Sequence, residues 1–333
     1  MRRVDSIKAV AAAVLLAALP LPSAHTMAAA PVLSVDGIRF ALDGNATFLI
    51  FVSYFDGLRR PAATRTDDFR WLRAHGVHGV RVWPNWSMPR LMEADGGLND
   101  AVMASLVSFV DEAARAGLVV DVTFNREPVC GSDRSCELTA AEYRDAIAAA
   151  ARALASRANV LFDLQNEWNT YGGLSLDDLR TTAAALRKAN PSALVTASTD
   201  SNYAEALAAS HAFDVLAYHN PRDAAGRWAD GTDELVERLR TQLIAHGREL
   251  PIHLQEPNRF PASSDTFRGF DREPAHYVRA LENAARAGAA AWTFHTASSF
   301  ELNSATPFVD LLQPGERAVM DALTQQPPAT PHH

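Results

Sequence analysis

One alternation, repeated along nearly the whole chain, constrains the fold most. A short apolar run rich in β-branched and aromatic residues is followed by a longer segment of helical periodicity. Eight such runs occur: "TFLIFVSYF" (47–55), "VHGVRVWPNW" (77–86), "LVVDVTFN" (118–125), "VLFDLQNEW" (160–168), "ALVTASTD" (193–200), "DVLAYHN" (214–220), "PIHLQEPN" (251–258) and "AAAWTFHTA" (289–297). Runs of this length and composition read as buried strands. The clearest helices are "DAVMASLVSFVDEAARAG", "AAEYRDAIAAAARALASRA", "DELVERLRTQLIAHG" and "PAHYVRALENAARAG". Their apolar residues recur three and four apart, and in the last Tyr277, Leu281 and Ala284 form one stripe.

The joints are asymmetric. Helical segments end at Gly76, Gly117, Gly247 and Gly288, and the next run begins within a few residues. Glycine tolerates the left-handed conformation that terminates a helix. The joints from run to helix are longer and carry the Trp, Asn, Arg, His and Glu residues. Eight β-then-α units with short αβ turns and long βα loops predict an α/β chain folded as a single (β/α)8 TIM barrel over residues 31–325. A doubly wound open sheet is the alternative. It would carry a Gly-rich phosphate loop after the first strand, and "SYFDGLRRP" is not one. A chain of 333 residues with 48% hydrophobic content supplies the core such a barrel needs. Residues 32–45 alternate around Asp36-Gly37 and read as an N-terminal β-hairpin able to plug the barrel bottom. The Pro-rich tail 326–333 is expected to be disordered.

The first thirty residues have the layout of a secretory signal peptide: Arg2, Arg3 and Lys8, then "AVAAAVLLAALPL", then the small residues of "SAHTMAAA". Cleavage is expected between Ala24 and Ala30, which places the protein outside the cell or in a periplasm. An uncleaved anchor is the alternative, and no other stretch could span a bilayer. Loss of this segment takes the net charge from −8 to −10. An acidic surface argues against nucleic acid or an anionic membrane as partner and leaves a neutral sugar open. No stable membrane insertion after cleavage is expected, and the chain is expected to be a monomer. The two cysteines, Cys130 and Cys136, are expected to form a disulfide in an exported protein, with two free thiols as the alternative. A zinc site would need histidine partners at ligand spacing, which are missing, so no metal is expected.

In such a barrel the active site lies at the C-terminal ends of the strands. The fourth run drives through "LFDLQNEWN" into Asn166-Glu167-Trp168, and the seventh ends in Gln255-Glu256-Pro257. Both carboxylates should reach the same mouth. Two carboxyl groups across a pocket are the minimum machinery for cleaving a glycosidic bond, one a protonated acid and the other ionised. Each glutamate alone has a plainer reading as a loop charge or helix cap. Trp83, Trp86, Trp168 and Trp292 offer flat faces to sugar C–H groups, or core packing. Arg81, Asn85, Asn125, Asn166, His219 and His295 offer hydrogen bonds to hydroxyls. Arg81 has the alternative of pairing with Asp121 or Asp163, and the two histidines that of structural roles. Asp200 is expected to cap a helix starting near Asn202.

On these residues the chain resembles the retaining glycoside hydrolases of clan A, most closely the cellulase-type family 5. "DLQNEW" is similar to the family's Asn-Glu at the end of the fourth strand, and "IHLQEP" to its nucleophile motif on the seventh. "GVRVW" resembles the Arg motif of the second strand, and "AAAWTF" the Trp of the eighth. The resemblance implies Glu167 as general acid/base, Glu256 as nucleophile and Asn166 near the 2-hydroxyl. It implies retaining hydrolysis of a β-linked oligo- or polysaccharide through a covalent glycosyl-enzyme, without metal or organic cofactor. The sequence departs from the family pattern at Asn125, where a His is frequent, and at His219-Asn220-Pro221, where the pattern is His-x-Tyr and the Tyr orients the nucleophile. A non-catalytic glycan-binding barrel is the rival reading. A metal-assisted hydrolase is a third, and His219, His253 and His295 do not form a convincing ligand set for it.

Overall fold

Successive residues of a strand point to opposite faces, and here both faces are covered. The computed structural model describes residues 30–87, 89–125, 138–170, 173–200 and 203–324. The expected signal peptide (all but Ala30), the Pro-rich tail and the expected Cys130–Cys136 disulfide lie outside the described residues.

Strands β1 (Leu33–Asp36), β2 (Arg39–Leu42) and β3 (Asn45–Thr47) form an antiparallel sheet. Then come β4 (Leu49–Ser53), β5 (Gly79–Val82), β6 (Val119–Thr123), β7 (Val160–Asp163), β8 (Leu194–Thr196), β9 (Ser198–Asp200), β10 (Leu216–His219), β11 (Ile252–Glu256), β12 (Arg259–Phe260) and β13 (Ala291–Thr296). All pairings from β4 onward are parallel. The fifth barrel strand is broken at Ala197: β8 pairs with β7 and β9 with β10. That closes the ring, so the protein is a (β/α)8 TIM barrel and not an open sheet. β12 adds a short ladder beside the end of β13 at the mouth.

The expected N-terminal hairpin is a three-stranded meander. A second Asp-Gly, Asp43-Gly44, turns the chain again, with φ of +53° and +78°, the backbone a two-residue hairpin turn requires. The sheet lies against the N-terminal ends of the barrel strands. Leu33 N donates to Ala158 O at 2.8 Å, and the Phe40 ring meets His253 edge-on at 6.4 Å. The glycines that end the four helices take φ between +65° and +77°, as their positions in the sequence predict. Helix starts are satisfied by side chains: Asn99 caps the helix 100–115, and Thr139 with Glu142 forms a capping box on the helix 140–153.

The barrel interior is layered. At the bottom Phe40, Leu49, Phe51, Val119, Leu161 and Val215 form an apolar plug. Gly79 is part of it, because a Cβ there would stand 2.3 Å from the Phe51 ring. Above it Arg81, Asp121, Asp163, His253, Gln255 and Thr293 are wholly buried. The opposite strand faces carry Val80, Val82, Val120, Val122, Ile252, Leu254, Trp292 and Phe294 into the helix-facing core. Among the described residues no helix is long and apolar enough to cross a membrane.

Candidate active site

Glu167 follows β7 and sits at φ +45°, a left-handed conformation that costs a non-glycine residue about 1 kcal/mol or more. Its surroundings enforce it: Glu167 N donates to Ser198 Oγ at 3.0 Å, and Thr170 N to Glu167 O at 2.8 Å. Glu256 ends β11. The register between β10 and β11 shifts after Tyr218, so that His219 pairs with Glu256 across the ladder. This shift brings three side chains together. One ligating atom each of Glu167, His219 and Glu256 lies within 4.8 Å of the others.

Two guanidinium groups clamp Glu256. Arg81 Nη1 donates to Oε1 and Arg222 Nη2 to Oε2, both at 2.6 Å. Arg81 is itself pinned: Nε donates to Thr123 Oγ1 at 2.8 Å, and Nη2 to Asn166 Oδ1 at 2.8 Å and to Asp163 Oδ2 at 3.3 Å. Burial favours the neutral acid of Glu256. The positive charge of His219, of His295 when protonated, and of Arg81 and Arg222 outweighs it and holds the carboxyl well below the usual carboxylate range. His295 has its own ionisation pushed down to about 3 by burial, so near neutral pH the depression rests on His219 and the two arginines.

Glu167 has a different setting. Its Oε1 lies 2.8 Å from His219 Nδ1, His219 Nε2 lies 3.0 Å from Gln255 Oε1, and Gln255 Nε2 donates to Asp121 Oδ2 at 2.7 Å. With its NH2 group on Asp121, Gln255 turns its oxygen to His219, so Nε2 carries a hydrogen. Nδ1 then either donates to a Glu167 carboxylate or accepts from a Glu167 acid. One proton is shared across that contact. Burial opposes charging of His219, but Glu256 and Glu167 overcome it and raise its ionisation.

A pocket of 450 Å³ opens beside these groups, lined by Glu167, Thr170, Asp200, Arg222, Arg259 and His295 among others. A second, apolar cleft of 340 Å³ runs past Phe55, Trp83 and Pro84. Trp86, 36% exposed, meets the Phe55 ring of that cleft edge to face at 4.9 Å. Glu167, His219 and Glu256 could offer ligands to a cation, but both oxygens of Glu256 already face guanidinium groups, which repel one.

Several expected roles are corrected. Trp292 is fully buried on the helix-facing side, its ring parallel to Phe294 at 6.3 Å, and so cannot touch a ligand at the mouth. Trp168 packs into the core with its edge against Tyr203 at 5.6 Å. Asn85 is consumed by the backbone, donating to Asn125 O and accepting from Met92 N. His219 has both ring nitrogens occupied, and Arg81 is wholly buried on protein partners, so both position the carboxylates and leave hydroxyls to other groups. Among the described residues the Asp200 side chain makes no cap bond to the helix 204–210, whose N-cap is Tyr203; it binds the side chains of Asn169 and Thr170 and lines the pocket.

Of the other expected residues, Asn166 has its amide oxygen fixed by Arg81 and by Trp83 Nε1 at 3.4 Å, which leaves its NH2 group to donate elsewhere. Asn125 is 1% exposed, and neither side-chain amide atom has a partner among the described residues. Sequence reasoning missed Arg222, Arg259, Gln255 and Phe55. A signal for the first existed: Arg222 lies one residue past the absent Tyr of the His-x-Tyr pattern. Tyr218 sits in the helix-facing core, as strand alternation predicts.

No known family pattern matches the chain, and no curated protein resembles it in sequence. Solved structures share its fold. A candidate glycoside hydrolase from Bacteroides vulgatus matches with a TM-score of 0.63 at 13% identity, over 82% of this chain. The chain spans 56% of that protein's length. A family 5 glycoside hydrolase from Streptomyces cattleya, in complex with Manβ1-4GlcNAc, matches with a TM-score of 0.59 at 18% identity, over 86% of this chain and 83% of that one. The β-mannanase of the blue mussel Mytilus edulis matches with a TM-score of 0.55 at 16% identity, over 90% and 97%. At these identities the likeness establishes the common barrel.

Proposed function

We propose that this chain is a retaining β-glycoside hydrolase of clan A, exported from the cell and acting on a β-linked oligo- or polysaccharide. One observation carries the reading: two carboxylates with oxygens within 4.8 Å of each other stand in opposite electrical settings. Glu256 is held ionised by two arginines, and Glu167 shares a proton with His219. Nearest oxygens no more than 4.8 Å apart fit the roughly 5–5.5 Å between carboxyl groups of retaining sites better than the roughly 6.5–9.5 Å that leaves room for water in inverting ones.

In the first step Glu167 gives its proton to the glycosidic oxygen while a Glu256 oxygen attacks the anomeric carbon. The C–O bond breaks and a glycosyl ester of Glu256 remains. In the second step Glu167 takes a proton from water, the water oxygen attacks the anomeric carbon, and Glu256 leaves as carboxylate. Glu167 thus cycles between acid and base, and the contact with His219 Nδ1 supports both states. The rival binding-only reading rested on the absent Tyr. Arg222, one residue further on, supplies the orienting contact by holding Glu256 Oε2. The β-mannanases among the structural neighbours make β-linked mannans one class to test.

The test is to follow purified protein by proton NMR on β-mannan, β-glucan and β-xylan oligosaccharides and aryl β-glycosides. A β-anomer formed first supports the reading. An α-anomer formed first, or no cleavage of any β-glycoside, rejects it.

A further inference from the structure

The 450 Å³ pocket is polarised around the barrel. Its acidic residues, Glu167 and Asp200, come from the fourth and fifth strands, and its guanidinium groups, Arg222 and Arg259, from the segments after the sixth and seventh. Among the described residues each arginine bonds a carboxylate through Nη2 alone. Arg222 uses Nη2 on Glu256, and Arg259 uses Nη2 on Asp265 at 2.7 Å. Arg222 Nη1 and Arg259 Nε are shielded from solvent and have no acceptor among the described residues. A buried donor without a partner has lost its water for no return, and the penalty is larger when the group is charged.

Arg259 is also fixed in place by aromatic rings. The Arg259 guanidinium lies over the Phe270 ring at 4.0 Å from its centroid and near Phe300 at 5.4 Å. Burial and the nearby positive charge of Arg222 both act against Arg259's own charge. His295, paired with Arg259 along the β12–β13 ladder and 3.9 Å from Glu256 Oε2, is neutral near neutral pH, and its Nδ1 has no partner among the described residues. A neutral sugar offers these donors only hydroxyl lone pairs. An anion offers charge-assisted bonds to the two guanidinium groups that line the pocket. Phe267, 58% exposed and edge-on to Phe270 at 4.9 Å, supplies an apolar face at the same pocket for the ring that carries it.

We infer that the pocket takes an acidic saccharide, its carboxylate or sulfate group seated between Arg222 and Arg259. This rests on the hydrolase reading for the fate of the sugar but not for its binding. Titration calorimetry on the full-length mature protein compares β-1,4-linked mannuronate and glucuronate oligosaccharides, sulfated manno- and cello-oligosaccharides, and the neutral parents. The acidic forms are expected to bind at least ~10-fold more tightly than their neutral parents, a preference of about 1.4 kcal/mol that weakens as salt is raised. Preference for uronate over sulfate, or the reverse, identifies the anion. Arg259→Gln should lose most of the preference and Arg259→Lys should keep part of it. The salt dependence of the unaltered protein tests the same point without a variant. Equal or tighter, salt-independent binding of the neutral parents overturns the inference, as does no binding of any acidic saccharide. Acidic saccharides bound but left intact uphold it and overturn the hydrolase reading. Neutral chains cleaved without preference do the reverse.

Discussion

Asp121 ends the hydrogen-bond chain that begins at Glu167, and its ionisation gives the sharpest test of the buried electrostatics. It is completely buried on β6, and burial raises its ionisation from 3.8 to about 7. Arg81 opposes that rise and Asp163 adds to it. The folded state therefore keeps this proton at pH values where the unfolded chain has lost it. The stabilisation is complete below about pH 3.8 and is lost as pH rises through about 7. At about 1.36 kcal/mol per pH unit, roughly 3 kcal/mol of it should disappear between pH 5 and pH 8. The absolute stability curve will not show it cleanly. His78 and His295, lowered by burial to about 4 and about 3, gain stability as pH rises through the ordinary histidine range. The difference between the protein and Asp121→Asn removes those shared contributions. Asparagine has the shape of the protonated acid and can still accept from Gln255. Urea unfolding at intervals from pH 5 to pH 8 should show the variant gaining on the parent by ~2–3 kcal/mol across that range. Parallel curves would mean that Asp121 is ionised throughout and that the buried layer is organised differently.

Glu256→Ala should form no glycosyl-enzyme with any substrate. Glu167→Ala should lose ~10²- to 10⁴-fold on poor leaving groups, accumulate the intermediate with an activated aryl glycoside, and be accelerated by azide; the opposite pattern swaps the two roles. Because the ionisation of His219 is raised, kcat/KM should fall with rising pH only above the ordinary value of 6.5, and His219→Gln should move that limb. An unmoved limb separates His219 from the shared proton. Trp292→Ala should destabilise the fold by about 3–5 kcal/mol in urea unfolding while KM holds; a raised KM at unchanged stability would return Trp292 to the cleft. Labelling of the unfolded, unreduced protein should find no free thiol at Cys130 or Cys136, and two labelled thiols refute the disulfide.

The barrel was legible in the sequence because its determinants are local. Strand and helix periodicities, helix-ending glycines and the polarity of the βα joints are all properties of neighbouring residues. They put Glu167 and Glu256 at one mouth without reference to any tertiary contact. Parity is equally legible. Trp292 and His295 are an odd number of residues apart on β13, so they face opposite sides, and only His295 can face the pocket. The division of roles between the carboxylates needed the closed ring. Arg81 and Arg222 reach Glu256 from 175 and 34 residues away. His219 reaches Glu167 across 52, through a register shift between strands that no window of sequence contains. Charge fields and proton positions act through space at a few ångströms. Only the tertiary structure decides which distant residues stand at that distance.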